Sequence, residues 1–138
     1  MTPEQKDLAR RFVACEHWRW MPGMLDAETG LRVVKAGTDK DPRVGLGNLD
    51  NFILYYPDML KGHYPDLTDP ATIGCILSLV RICWNDEGCA SVVASYSHET
   101  GYMWRVVGGH HHGSGFMAMS QKHYQSEAEA LLSALEAK

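Results

Sequence analysis

Asp66-Leu-Thr-Asp-Pro-Ala-Thr-Ile-Gly-Cys-Ile-Leu-Ser-Leu-Val-Arg-Ile-Cys-Trp-Asn-Asp-Glu-Gly88 reads as one helix with its start and stop signals attached. Asp69 is a good N-cap, because its carboxylate can accept from the free N–H groups of the first turn. Pro70 follows at the first helical position, where a missing N–H costs nothing. Gly88 can leave the helix in a left-handed conformation. Ile73, Ile76, Leu77, Val80 and Trp84 share a face by helical spacing, and Cys75, Leu79, Ile82 and Cys83 widen it. Only Gly74, Ser78, Arg81 and Asn85 form a polar strip. A helix this apolar has to be covered on most of its sides.

Working outward, the flanking segments supply the cover. Thr2-Pro-Glu-Gln5 is a capping box that opens an N-terminal helix, with Leu8, Ala9, Phe12, Val13 and Cys15 on its inner face and an end near His17. Trp18-Arg-Trp-Met-Pro-Gly-Met24 is extended, so Trp18 and Trp20 point the same way. They read as a lid on the core with indole N–H groups bonded to backbone, or as an aromatic binding surface beside Arg19. Met24–Lys35 is a β-hairpin turning at Asp26–Gly30, and residues 36–48, rich in glycine, form a mobile loop. Leu49–Tyr56 is a strand stopped by Pro57. GLGN at 45–48 lacks the lysine and the following helix of a phosphate loop.

Beyond the central helix, residues 89–97 and 102–107 alternate as paired strands around a turn at His98–Gly101. Tyr102, Trp104 and Val106 take one face, and Met103, Arg105 and Val107 the other. Apolar residues on both faces call for a second cover, such as another subunit. Phe116–Met119 is a last strand, and Ser126-Glu-Ala-Glu129 caps a closing helix through Leu131, Leu132 and Leu135. The expected fold is a single α+β domain over residues 1–138. In it, an antiparallel sheet of about 4–6 strands packs on the buried central helix and the two terminal helices.

The bulk numbers exclude several functions. The chain has 138 residues, 45% hydrophobic and 22% charged, which is globular composition. A net charge of −4 gives no basic footprint for nucleic acid. No run is long enough to span a membrane, and the N-terminus is not a secretory signal, so the expected compartment is the cytoplasm. Cys15, Cys75, Cys83 and Cys89 form no CxxC pair and read as reduced core thiols, the alternative being a zinc site of Cys15, His17 and Cys89.

Gly108-Gly-His-His-His-Gly-Ser-Gly115 is the most chemically suggestive loop. His110 and His112 would project together and could grip a divalent metal such as zinc, with His98 or Glu99 completing the shell. The competing reading is a solvated hairpin loop, with no cofactor. Cys89 follows a helix C-terminus, the wrong end for a reactive thiolate, and Ser114 has no nucleophile elbow around it.

Three stretches resemble a family of small uncharacterised proteins encoded by bacteriophages and prophages: Arg19–Leu25, Asp66–Arg81 and Ser126–Glu136. The resemblance implies action inside a bacterial cell and brings no catalytic residues with it. The first functional expectation is therefore a non-enzymatic protein that binds a host protein or a second copy of itself, through Trp18, Arg19, Trp20, Trp104 and Arg105. The alternative is a small metal-binding protein or metal-dependent enzyme built on His110 and His112.

Overall fold

A computed structural model describes residues 1–84, 91–99, 101–109, 116–118 and 124–138. Over these the chain is α+β, with three α-helices and antiparallel strands. The strands are shared between two three-stranded sheets rather than joined in one. The chain divides into two compact units, Met1–Ala14 with Trp18–Cys75, and Cys15–His17 with Ile76–Lys138. Among the described residues no helix is long and apolar enough to cross a membrane.

The first unit opens with α1 (Pro3–Ala14). Its capping box is reciprocal: Gln5 N–H donates to Thr2 Oγ1 at 3.1 Å, and Thr2 N–H donates to Gln5 Oε1 at 2.8 Å. Ala9 and Phe12 are buried on its inner face. The hairpin that follows is short. Val33 N–H donates to Met24 O and Asp26 N–H to Leu31 O, and Leu25 bridges Arg32. Its second arm, β1 (Val33–Lys35), then pairs mainly with β2 (Val44–Gly47), which in turn pairs with β3 (Phe52–Tyr55).

Strand β2 corrects the expectation of a loop over 36–48. Glycines argue against a strand in sequence, yet here Gly45 lies under a neighbouring ring and Gly47 is required by its backbone. A Cβ on Gly45 would fall 2.9 Å from the Phe52 ring, which lies across it. Gly47 has φ +143°, and a Cβ there would come within 2.6 Å of the Asn51 carbonyl. The connection that remains, residues 36–43, is tied down rather than loose. Asp41 accepts from Lys35 Nζ at 3.1 Å and from Arg43 Nε and Nη2 at 2.9 and 3.0 Å, while Thr38 N–H donates to Asp41 O at 2.7 Å. The Arg43 and Lys35 cations hold the Asp41 carboxyl well below the usual carboxylate range.

Helix α2 (Pro70–Cys83) starts where Asp69 and Pro70 place it. Thr72 donates to Asp69 Oδ2 through both its N–H (2.9 Å) and its hydroxyl (2.8 Å). The fully buried Thr72 oxygen also accepts from Leu25 N–H at 2.9 Å. Arg32 completes the cluster with a forked pair to Asp69, Nη1 to Oδ2 at 2.9 Å and Nη2 to Oδ1 at 3.2 Å, and a further bond from Nη1 to Gly23 O. Thr72, Ile76, Leu79 and Val80 are buried, whereas Ile73 and Leu77 are half-buried and Ile82 is exposed. The covered face is thus narrower than the apolar composition implies. Gly88, the expected stop, lies outside the described residues.

The division between units falls inside α2, after Cys75. In the second unit β4 (Ser91–Ser97) pairs with β5 (Gly101–Gly109), and β5 with β6 (Phe116–Ala118). The register runs from Ser97↔Gly101 to Ser91↔Val107, as the alternation predicts. Val106 and Val107, on opposite faces, are both buried, while Met103, Trp104 and Arg105 are half-buried. Helix α3 (Glu127–Glu136) packs on β4 and β5 and buries Leu131, Leu132 and Leu135. Ser126 caps it, accepting from Glu129 N–H at 3.1 Å. Trp84 Nε1 donates to Ala134 O at 2.8 Å.

The Asp69 cluster generates a pH prediction. The Arg32 guanidinium and the two Thr72 donors lower the Asp69 pKa from 3.8 to about 2. Its stabilising share is therefore complete above 3.8, where an unfolded chain would also be ionised, and is lost as pH falls towards 2. At neutral pH Asp69→Ala should cost roughly 2–3 kcal/mol, and Asp69→Asn, which still caps, about 1 kcal/mol. In urea unfolding, the gap between wild type and Asp69→Asn should narrow steadily over that acid range.

Candidate functional site

Trp18, Arg19 and Trp20, expected to act together, lie side by side in the first unit. Trp18 meets Trp20 edge to face with centroids 5.5 Å apart, and it tilts against Phe12 at 6.0 Å. Trp20 is buried, Trp18 half-buried and Arg19 exposed. All three line a groove of about 500 Å³ at the end of the sheet where β1 and β3 finish and β2 begins. Buried Trp20, Val44 and Leu60 make its floor, and exposed Arg19, Asp39 and Lys61 its rim. Neither rim cation has an acidic partner among the described residues.

One bond expected from the sequence is missing. The Trp18 indole N–H is buried and has no hydrogen-bond partner among the described residues, although such groups are nearly always bonded. Leaving it so costs roughly 1–3 kcal/mol. On one side of the groove, Thr38 and Pro42 flank the Asp41 cluster that closes the 36–43 loop.

A second surface lies along β3, which is the edge of its sheet. Asn48 and Asn51 exchange both backbone bonds, N–H to O at 3.0 and 3.2 Å, across the turn at Leu49-Asp50. Antiparallel pairs alternate, so Ile53 and Tyr55 direct their N–H and C=O groups to β2. Phe52 and Leu54 therefore direct theirs outward, where no described strand pairs with them. The same stretch exposes large apolar side chains: Phe52 40%, Ile53 57%, Tyr56 54% and Met59 53%. Ile53 also borders a hollow of about 510 Å³ with Leu25, Leu31 and Leu46. Sequence reasoning passed over this edge, although five consecutive apolar residues, Phe52 to Tyr56, leave no polar face for water.

The sequence also gave no warning of a buried acid–imidazole pair. Asp26 has no exposure and accepts from His63 Nδ1 (2.8 Å), Thr29 Oγ1 (2.7 Å) and Glu28 N–H (3.2 Å). The carboxylate thereby holds the imidazole ring through its Nδ1 side. This is the orientation of a catalytic histidine, but no hydroxyl or thiol is bonded to His63 among the described residues. The pair instead staples the 26–30 turn to the chain at 63–65, beside the bonds Ala27 N–H to Tyr64 O and Asp66 N–H to Leu25 O.

Trp104 and Arg105 sit in the middle of β5, half-buried, and belong to the second unit. His98 and Glu99 lie at the β4–β5 turn. His110, His112, Ser114 and Cys89 lie outside the described residues. No three His, Cys, Asp or Glu side chains gather as a metal requires among the described residues. Cys15, Cys75 and Cys83 form no disulfide. Burial pushes the Cys75 thiol up, away from nucleophilic use, and its Sγ donates to Pro22 O.

No family model matches the chain, and no curated protein or solved structure matches it either.

Removing Asp26 should be felt as lost stability. Asp26→Ala strands three donors and should cost roughly 2–4 kcal/mol. His63→Ala leaves the carboxylate two of its donors and should cost less; denaturant unfolding of both variants checks the order.

Proposed function

We propose that this chain is a non-enzymatic protein-binding module that takes up an extended segment of a partner along the outer edge of β3. The observation that carries the reading is the coincidence of outward backbone groups at Phe52 and Leu54 with exposed Ile53, Tyr56 and Met59. A strand added to a sheet edge gains main-chain hydrogen bonds, and pockets for alternate side chains give it specificity. A hollow borders Ile53 on the side of β2 and the 25–32 hairpin. Soluble proteins normally blunt an edge of this kind with charge or cover it. Here Asp50 and Asp58 flank it at the two ends, and the middle is left apolar.

The resemblance of Arg19–Leu25, Asp66–Arg81 and Ser126–Glu136 to phage and prophage proteins supports a partner in the bacterial cytoplasm, a host protein whose action is blocked. A second copy of the chain, pairing β3 to β3, is the competing occupant.

The test uses the full chain on a support, exposed to bacterial lysate, with retained proteins purified and titrated directly. Ile53→Glu and Tyr56→Glu change exposed residues and should leave the fold intact, as checked by circular dichroism. Each should weaken the partner at least about tenfold, roughly 1.4 kcal/mol. Equal retention by wild type and both variants overturns the assignment. A concentration-dependent dimer abolished by Ile53→Glu replaces the host protein with a second copy.

A further inference from the structure

The groove beside Trp18 uses residues other than the β3 edge, so what it holds is independent of the partner proposed above. Its floor of Trp20, Val44 and Leu60 is apolar and buried, suited to a hydrocarbon body. Its polar groups are mostly donors. Arg19 and Lys61 have no acidic partner among the described residues; the Trp18 indole N–H also lacks an acceptor, but it is itself buried and would meet a ligand only after its ring moves. The Thr38 hydroxyl is already spent on the Asp41 backbone, at 3.1 and 3.4 Å. That leaves the Asp39 carboxylate as the one charged acceptor on the rim.

From this inventory we infer that the groove binds a small apolar monocarboxylate, an organic acid with an aromatic or branched aliphatic body. Two cations against one carboxylate leave a single positive charge in a chain whose net charge is −4. A monoanion matches that surplus. A polyanion such as phosphate would meet Asp39 with excess charge and would leave the apolar floor unfilled. A cation would face two like charges. A volume near 500 Å³ holds one small molecule rather than a helix or a long strand. The Asp41 cluster holds the Thr38–Pro42 side of the groove in place beforehand, which lowers the ordering cost of binding there.

The carboxyl end of a peptide offers the same chemistry, and the test separates the two sources. The full chain is titrated by calorimetry with phenylacetate, with the uncharged isostere phenylacetamide, with inorganic phosphate, and with a short peptide ending in phenylalanine. Phenylacetate should bind saturably, and phenylacetamide at least about tenfold more weakly. Arg19→Gln and Lys61→Gln, both at exposed positions, should each weaken phenylacetate without changing the amide. The Trp18 indole N–H resonance, assigned from Trp18→Phe, should move with the acid. Equal binding of acid and amide, phosphate binding as tight as phenylacetate, or no saturable acid binding overturns the inference. Tighter binding of the peptide than of the free acid overturns the small-molecule form.

Discussion

One arginine, Arg32, ties the strands of the first unit to the start of α2. Arg32 offers its backbone carbonyl to Gly47 N–H, which fixes the central strand β2, and its side chain to Asp69, which starts α2. The same carboxylate takes both Thr72 donors, and Thr72 takes the Leu25 N–H. Strand register and helix start are therefore settled by one connected set of bonds. A half-exposed ion pair alone would contribute little, about 0–1 kcal/mol. What makes this one count is the sharing. Losing Asp69 would leave a buried hydroxyl, a helix end and a guanidinium short of partners together.

How much of this could be read in advance follows from the range of each interaction. Features written within four residues were legible: the Thr2–Gln5 box, the Asp69-Pro70 start, the Ser126 cap, and the hairpins at 26–30 and 98–101. The β4–β5 pairing was legible too, because alternation and turn agree. Strand β2 was not. Val44-Gly-Leu-Gly47 reads as loop because glycine is poor in strands, and the Phe52 ring that lies across Gly45 comes from another strand. The Asp26–His63 pair and the Arg32–Asp69 fork each join residues 37 positions apart, and no local pattern announces them. Trp18, Arg19 and Trp20 are legible as a group, but Lys61, which shares their groove, and the orphan indole nitrogen depend on how distant loops meet.

The two ends of the small sheet differ in what they can hold. At one end, loops converge on buried aromatic rings and unpaired charge, a setting for a compact ligand. Along the β3 edge and towards the 48–51 turn, backbone groups and apolar side chains face outward, a setting for another chain. Among the described residues neither arrangement places a nucleophile on a base. The carboxylate–imidazole pair has the orientation of catalytic machinery, but its hydrogen bonds serve the 26–30 turn.

The knot around Asp41 has a kinetic meaning. Its most distant bond spans six residues, from Lys35 to Asp41, so little chain entropy is lost in closing it. Loops of that size close within about 10–100 ns, far ahead of contacts made across 37 positions. The Thr38–Pro42 side of the groove can thus take shape while the hairpin and α2 are still searching for each other. A nascent chain would then carry a preformed corner against which the slower long-range pairing condenses.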